Sequence, residues 1–417
     1  MTIIFKINMF SNFKVFSLGF ICFLVSCSPS VEIEPNDSKP TYFYKTYSNK
    51  ASSLGLFVDE LPNGDIIVAG AAVDATTDEP EGFQIRKLDA YGNTLWNKEI
   101  PTKTLFYCHG TAFSNGDYVF CSMVSSSEVI RVDSDGNIVF QTEFNPALRQ
   151  NNIIGLPVEG ENGTVLISLT DGLGTGSASS NFIYTLDKDG KVVKVVKMQD
   201  GQFGGKVLTY QILKELDGEY LVSGTLFEYP WTGWSAPPKT FFARVKSNFG
   251  AKIIVENSGN EVERIHRQAL GTRDGHYVYT SSKTLGFLED GIPQPQTSFE
   301  IVKINSNVES QWKTKVTMDV LTLETYSLTE NEKGEYVVTG DCTVAGSNGR
   351  LPFVVKIGQN GEILFTKVFR LAESVTFSYG VQNSNGSYLF AGNTRGFGNS
   401  ADKDDLVVMK TDQNGDR

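Results

Sequence analysis

The sequence predicts an all-β fold: a seven-bladed β-propeller with four antiparallel strands per blade, its ring closed by an N-terminal strand joining the C-terminal blade. Three observations predict it. A turn followed by a short apolar strand recurs seven times, a second turn followed by an aromatic strand alternates with it, and the last aromatic strand is found at the wrong end of the chain.

The first motif reads NGDIIVAG (63–70), NGDYVFCS (115–122), NGTVLISL (162–169), DGEYLVSG (217–224), DGHYVYTS (274–281), KGEYVVTG (333–340) and NGSYLFAG (385–392). Its glycines step by 47 to 59 residues, the length of one four-stranded blade. Between the copies lie KLDAYGN, RVDSDGN, TLDKDGK, RVKSNFG, KINSNVE, KIGQNGE and KTDQNGD. Asn-Gly and Asp-Gly suit hairpin turns because glycine takes a positive φ without a Cβ clash. Copies four and five, SNFG and SNVE, break the pattern and predict longer or bulged turns.

Six of these turns are followed by an apolar or aromatic strand, LWNKEI, VFQTEF, KVVKVV, KIIVEN, SQWKTKV and ILFTKVF, and the seventh is followed by Asp416 and Arg417. The strand it lacks matches YFYKTYS, Tyr42 to Ser48, which has the aromatic-x-Lys-x-aromatic spacing and precedes the first unit. Chain ends that share one sheet close the ring, and radial sheets leave only short, protected edges. Trp96 and Trp312 fall at the aromatic position of this strand and are expected to be packing residues.

The repeats resemble the G-x-Y-Φ-Φ-x-G and K-Φ-D-x-x-G-x-Φ-W propeller repeats (Φ apolar) of lipoproteins in the Bacteroidetes group, over about 42–417. That resemblance implies a fold and no single function. It is supported upstream. Lys6 and Lys14 precede the apolar run Val15–Val25, about half the roughly 20 residues that a membrane-spanning helix needs, so residues 1–26 read as a signal peptide, with Met1 and Met9 both available as starts. Leu24-Val25-Ser26-Cys27 then resembles the lipobox of bacterial lipoproteins, which implies cleavage before Cys27 and lipid on its sulfur. At about 0.8 kcal/mol per buried methylene, two or three acyl chains such as palmitate anchor a protein durably. Ser28 rather than Asp follows, which by that family's habit implies the outer membrane of a Gram-negative envelope. Residues 27–41 read as a lipidated cysteine and flexible tether, and 42–417 as the propeller.

Net charge is -11, and -13 without the two lysines of the leader, which argues against nucleic acid as a partner. With three cysteines beyond Cys27, Cys108, Cys121 and Cys342, disulfides are not what holds the fold; Cys108 and Cys121 flank one predicted hairpin, where a bridge is the alternative to the expected buried thiols. Function is expected on the face bearing the variable connections between the second and third strands, since loops on a rigid scaffold carry function. The candidate binding residues there are Tyr229, Trp231 and Trp234 of EYPWTGW, whose indoles lie outside the periodic pattern. They fit either a loop folded onto its scaffold or a platform for a sugar ring or a partner's apolar side chain.

No catalytic motif is found. His109, His266 and His276 have no partners at metal-ligand spacing, and the calcium-like DSDG and DKDG place glycine two positions too early. Quinone-binding propellers share a Trp-bearing repeat, but the basic and calcium-binding residues they require are not found by spacing. No catalytic residue, metal or cofactor is therefore assigned. The reading is a membrane-anchored, non-catalytic binding module for a glycan or a protein partner, with a structural subunit of an envelope complex or a quinoprotein-like enzyme as alternatives.

Overall fold

The computed structural model describes residues 42–47, 52–73, 80–102, 107–123, 127–144, 153–171, 180–198, 205–216, 219–228, 239–246, 250–255, 264–283, 297–347, 350–371, 375–395 and 404–416. They form seven antiparallel sheets in which chain order is spatial order, so strands a to d run outward within each blade. Blade one is Ser52–Glu60, Ile66–Val73, Pro80–Leu88 and Thr94–Ile100. Blade seven is Val375–Gln382, Tyr388–Arg395 and Asp404–Thr411, with Phe43–Tyr47 as its strand d, paired from Phe43 opposite Lys410 to Tyr47 opposite Leu406. Blade three differs from the regular plan. Its strand a is split into Ile153–Ile154 and Val158–Glu159, both on Val165–Asp171, and Pro157 between them has no N–H to give the ladder.

Seven apolar clusters fill the spaces between successive sheets. The last joins Tyr47, Val58 and Val68 to Leu389 and Val408, so blade seven packs on blade one and the ring closes. Cys121 and Cys342 are buried in this packing as the sequence predicts, and burial pushes the Cys342 thiol up to about 11.

The turn motif is a type I turn ending in a left-handed glycine. In the c–d turn of blade one, Gly92 N–H donates to the Asp89 carbonyl at 2.9 Å, Gly92 has φ 76°, and Asp89 Oδ1 accepts from the N–H groups of Tyr91 and Asn93 at 2.9 and 2.8 Å. The aspartate of K-Φ-D is thus a turn cap, and Asp133, Asp187 and Asp412 repeat it. Copy five is bulged but not longer, and in this it matches the c–d turns of blades one, two, three and six: it keeps the same geometry, with Val308 forced to φ 66° and its N–H bonded to the Asn305 carbonyl at 2.9 Å. A β-branched residue there holds on the order of 1–3 kcal/mol of strain, which the cap and the burial of Val308 offset. The turn of copy four lies outside the described residues.

Each of these turns is gripped by the preceding blade. A Cβ on Gly136 would lie 2.5 Å from the Trp96 ring, one on Gly92 2.7 Å from Phe43, one on Gly190 2.6 Å from Phe140 and one on Gly361 2.9 Å from Trp312. Two residues after each aromatic a polar side chain holds the same turn: Lys45 Nζ donates to Asn93 at 2.8 Å, Lys98 Nζ to the Asp135 carbonyl at 2.6 Å and Thr142 Oγ1 to the Gly190 carbonyl at 2.8 Å. Trp96 and Trp312 are packing residues. Phe43 sits opposite Lys410 as Trp96 sits opposite Lys87, so the closing strand enters in the register of every other strand d.

The lysine or arginine of the same motif spans the sheet to the acid behind the a–b turn: Lys87 to Asp65 at 3.3 Å, Arg131 to Asp117 at 2.7 Å, Lys356 to Glu335 at 2.5 Å. In blade seven that acid is replaced by Ser387, and the buried Lys410 pairs with Glu60 of blade one, an ion pair across the closure.

Two stability predictions result. Removing residues 42–48 deletes a ladder strand whose hydrogen bonds contribute about 0.5–1.5 kcal/mol each, so the thermal midpoint followed by circular dichroism should fall by an amount equivalent to several kcal/mol. Gly136→Ala should destabilise more than Gly116→Ala. Both impose a positive φ on alanine, about 1–2 kcal/mol, but only Gly136 lies under an indole; Gly116 faces open space. Equal costs would refute the grip.

Candidate functional site

Tyr229, Trp231 and Trp234 lie outside the described residues, as does Cys27. His109 and His266 fall on the strands a of blades two and five, and His276 occupies an a–b turn, its Nδ1 3.2 Å from Asp274. Among the described residues no group of three or more His, Cys, Asp or Glu is arranged to hold a metal ion.

The densest chemistry stands instead in blade six, at the end where strand a begins, strand b ends and strand c begins. This is the face of the variable loops. Strand a, Thr322–Glu330, pairs with strand b, Tyr336–Thr343, with a register shift between Thr325 and Ser327 that leaves Tyr326 as an extra residue, a β-bulge. The final glycine of the repeat explains it. A Cβ on Gly340 would lie 1.9 Å from the Glu324 carbonyl, and one on Gly392 1.8 Å from that of Thr376, so in these two blades glycine is what lets the bulged strand approach, whereas blade five bulges opposite Ser281. Blades one, four, five and seven have the same shift, at Leu56, Tyr210, Arg267 and Ser378. In these five blades a residue of strand a thereby falls outside the ladder register.

The bulge of blade six is held from both sides. Gln268 of blade five accepts from the Leu328 N–H at 2.7 Å and donates to the Tyr326 carbonyl, while Ser327 donates to the Gly380 carbonyl of blade seven at 3.0 Å and accepts from its N–H at 3.2 Å. On this fixed backbone four side chains converge. Tyr326 Oη lies 2.8 Å from Glu324 Oε2 and 3.1 Å from Asp341 Oδ2, and Arg350 Nη1 donates to Tyr326 Oη at 2.8 Å. Arg350 Nη1 also reaches Glu324 Oε2 at 3.0 Å and Asp341 Oδ2 at 3.2 Å. Asp341 Oδ1 is 3.0 Å from the guanidinium but outside hydrogen-bonding geometry.

Accessibility divides the four. The side chains of Arg350 and Glu324 are 41% and 33% exposed, and that of Asp341 is 1% exposed. Burial pushes the Asp341 carboxyl up to about 6 against the opposing pull of Arg350. Burial and then the charges of Asp341 and Glu324 raise the Tyr326 phenol, keeping it protonated. The array therefore presents a proton-donating phenol, a solvent-facing carboxylate and a solvent-facing guanidinium. Asp59, near the turn end of strand a in blade one, is a second perturbed acid: burial raises it to about 6, opposed by the Glu60 N–H and by the Tyr118 hydroxyl at 3.4 Å.

Sequence reading singled out none of these four residues. One signal existed: the position after the repeat's last residue is Ala71, Met123, Thr170, Thr225, Ser282 and Asn393 in six copies and Asp341 in the sixth blade, the one charge in the series.

No family model and no curated protein matches the chain. Solved structures match in fold. The polysaccharide lyase Uly1 covers 88% of this chain and 91% of its own at 10% identity, with a TM-score of 0.55. A PL25 ulvan lyase bound to -[GlcA(1-4)Rha3S]- covers 88% and 96% at 9% identity, with a TM-score of 0.56. A protein of unknown function from Bacteroides caccae covers 76% and 94% at 12% identity, with a TM-score of 0.41. These likenesses are likenesses of fold. They nonetheless correct the expectation of a non-catalytic binding module, because solved structures that match this fold are polysaccharide lyases.

Asp59 and Asp341 bind protons more tightly folded than unfolded, so their ionisation costs native stability. Between about pH 4 and pH 6 they should stabilise the fold as pH falls, an effect fully present near pH 4 and lost above about 6. Asp59→Asn should remove its share and raise the melting temperature at pH 7.5 by the equivalent of about 1–3 kcal/mol. An unchanged slope of melting temperature against pH would refute the assignment.

Proposed function

We propose that the chain is a glycan-cleaving enzyme acting on a carboxylated polysaccharide at the loop end of blade six, and that it is displayed at a bacterial outer membrane through lipid on Cys27. The observation that carries the enzymatic reading is the convergence of Glu324, Tyr326 and Arg350 on one hydrogen-bonded centre at that face. Arg350 supplies a planar donor fork for a sugar carboxylate, whose charge it neutralises. With that charge neutralised, the proton on the adjacent carbon becomes acidic enough for Glu324 to accept. As the C–H pair forms the new carbon–carbon double bond, the glycosidic C–O bond breaks, and Tyr326, held protonated, donates its hydroxyl proton to the leaving oxygen. The fold likeness to lyases, one of them bound to a glucuronate-containing polymer, supports this reading. The chain's net charge of -11 does not oppose it, because charges beyond a Debye length of about 8 Å are screened while Arg350 acts in contact.

The test is incubation of the purified protein with uronate-containing and neutral polysaccharides, following the ultraviolet absorbance of unsaturated uronate and the release of reducing ends. Absorbance is expected with the acidic polymers alone, and Tyr326→Phe and Arg350→Ala should each reduce it by at least about 100-fold. Reducing ends without absorbance would replace elimination by hydrolysis, and neither signal from any polymer would overturn the enzymatic reading.

The lipid anchor rests on the Leu24–Cys27 motif and on the Pro- and acid-containing segment that follows it. Labelled palmitate should enter the wild-type protein and not Cys27→Ala, which should leave the membrane fraction. Labelling that survives Cys27→Ala would refute it.

A further inference from the structure

We infer that in mildly acidic solution Asp341 is a neutral carboxylic acid in the resting site, a proton store that donates to Tyr326 Oη. The inference follows from counting protons around one oxygen and rests on the enzymatic reading above only for its use. Tyr326 Oη has three close neighbours, Arg350 Nη1 at 2.8 Å, Glu324 Oε2 at 2.8 Å and Asp341 Oδ2 at 3.1 Å. A phenol offers one hydrogen and two lone pairs. The guanidinium, which is always a donor, fills one lone pair, and the phenol hydrogen serves one carboxyl. The remaining oxygen must bring its own hydrogen. If it did not, two oxygen lone pairs would face each other inside the protein, where such contacts are most costly.

Burial decides which carboxyl carries it. The Glu324 side chain is one-third exposed, and water solvates its charge; that of Asp341 is 1% exposed. Asp341 Oδ1 is buried and accepts no hydrogen bond, a cost to a carboxylate that the guanidinium 3.0 Å away offsets only in part and a light one for the carbonyl of a neutral acid. Strands a and c bring the titratable and charged groups that face it: Glu324 and Tyr326 from one, Arg350 from the other. The phenol therefore donates to Glu324, and Asp341 donates to the phenol.

This arrangement sets a direction for proton flow. When Tyr326 gives its hydrogen to a leaving oxygen, the Asp341 proton passes along the 3.1 Å Oδ2–Oη hydrogen bond to replace it, so the phenol never becomes a phenolate beside two acids. After the step Asp341 is ionised and Glu324 holds the proton taken from carbon. Transfer from Glu324 to Tyr326 and from Tyr326 to Asp341 restores the resting state, and no proton is gained or lost. Asp341 touches no substrate and is a positioning residue that acts through Tyr326.

Infrared titration of the intact protein without any glycan reads the proton directly. A protonated-carboxyl C=O band that persists above the ordinary carboxylate range, remains in Glu324→Gln and disappears in the isosteric Asp341→Asn is expected. In Tyr326→Phe, which removes the acceptor, that band should stay and move to higher frequency. The titrations are run in the Asp59→Asn background, which removes the other carboxyl raised to about 6, and there a band that titrates with ordinary carboxylates, or that survives Asp341→Asn, overturns the inference. Because the band does not depend on turnover, a protein that shows it yet cleaves no polysaccharide would sink the enzymatic reading and leave the stored proton standing. In an active protein, Asp341→Asn should shift the pH–rate profile, whereas a purely structural role would lower the rate at every pH alike.

Discussion

An aromatic ring lying on a glycine of the next blade is the contact on which this molecule depends. Flat apolar packing between sheets is non-directional and sets neither how many blades form nor in what register they meet. The Trp96–Gly136 contact and its repeats do, because an indole fits only where the facing turn lacks a Cβ and its carbonyls are positioned for the lysine or threonine two residues on. The rule passes through the closure unchanged. Phe43 grips Gly92 as Trp96 grips Gly136, and the buried Lys410–Glu60 pair crosses the same seam. A buried ion pair is a poor source of net stability but a strong penalty on any misaligned ring, in which either charge would be stranded.

A scaffold specified at its rim can vary near its axis. In blade six the glycine ending the first motif admits the bulge of strand a, and in five blades a bulge takes a residue of strand a out of ladder register. Backbone there is doubly held, as Gln268 and Ser327 show on either side of Tyr326, so a catalytic group at that position sits on a rigid element and not on a loop. This is a different solution from long variable loops, and it places chemistry where repeat analysis assigns core.

Much of the fold was legible in the sequence because its determinants are local. Positive-φ glycines and turn-capping aspartates act within a few residues of themselves, aromatic-x-Lys spacing is itself a short local pattern although it grips the next blade, and repetition along the chain separates them from chance. The closing strand was legible for the same reason. Val308 was misjudged because a cap and a buried side chain can hold a β-branched residue in a glycine's conformation, a balance that no spacing reveals. The blade-six array was illegible for a geometric reason. Glu324, Tyr326, Asp341 and Arg350 come from three strands, and their meeting depends on a one-residue bulge; without it, strand periodicity would put Tyr326 in another place. Only Asp341, a charge where the other copies have none, stood out from its own repeat.

The cost of that array points to its use. A chain selected for stability alone would keep an uncharged residue at position 341, as its six other blades do, and would not aim two carboxyls at one phenol. Burying a carboxyl until its proton is retained to about pH 6 spends native stability at every higher pH, and Arg350 recovers only part of it. The Asp59 carboxyl carries a similar cost at the turn end of blade one, but its phenolic neighbour, Tyr118, is itself held in aromatic packing against Phe57, and no guanidinium opens onto solvent beside it among the described contacts. Perturbed acids occur in structural networks too, so perturbation alone does not mark a site. In blade six the perturbed acid stands behind a phenol that an exposed carboxylate and an exposed guanidinium share, and that sequence from buried store to solvent-facing groups is what a proton-transfer site requires and packing does not.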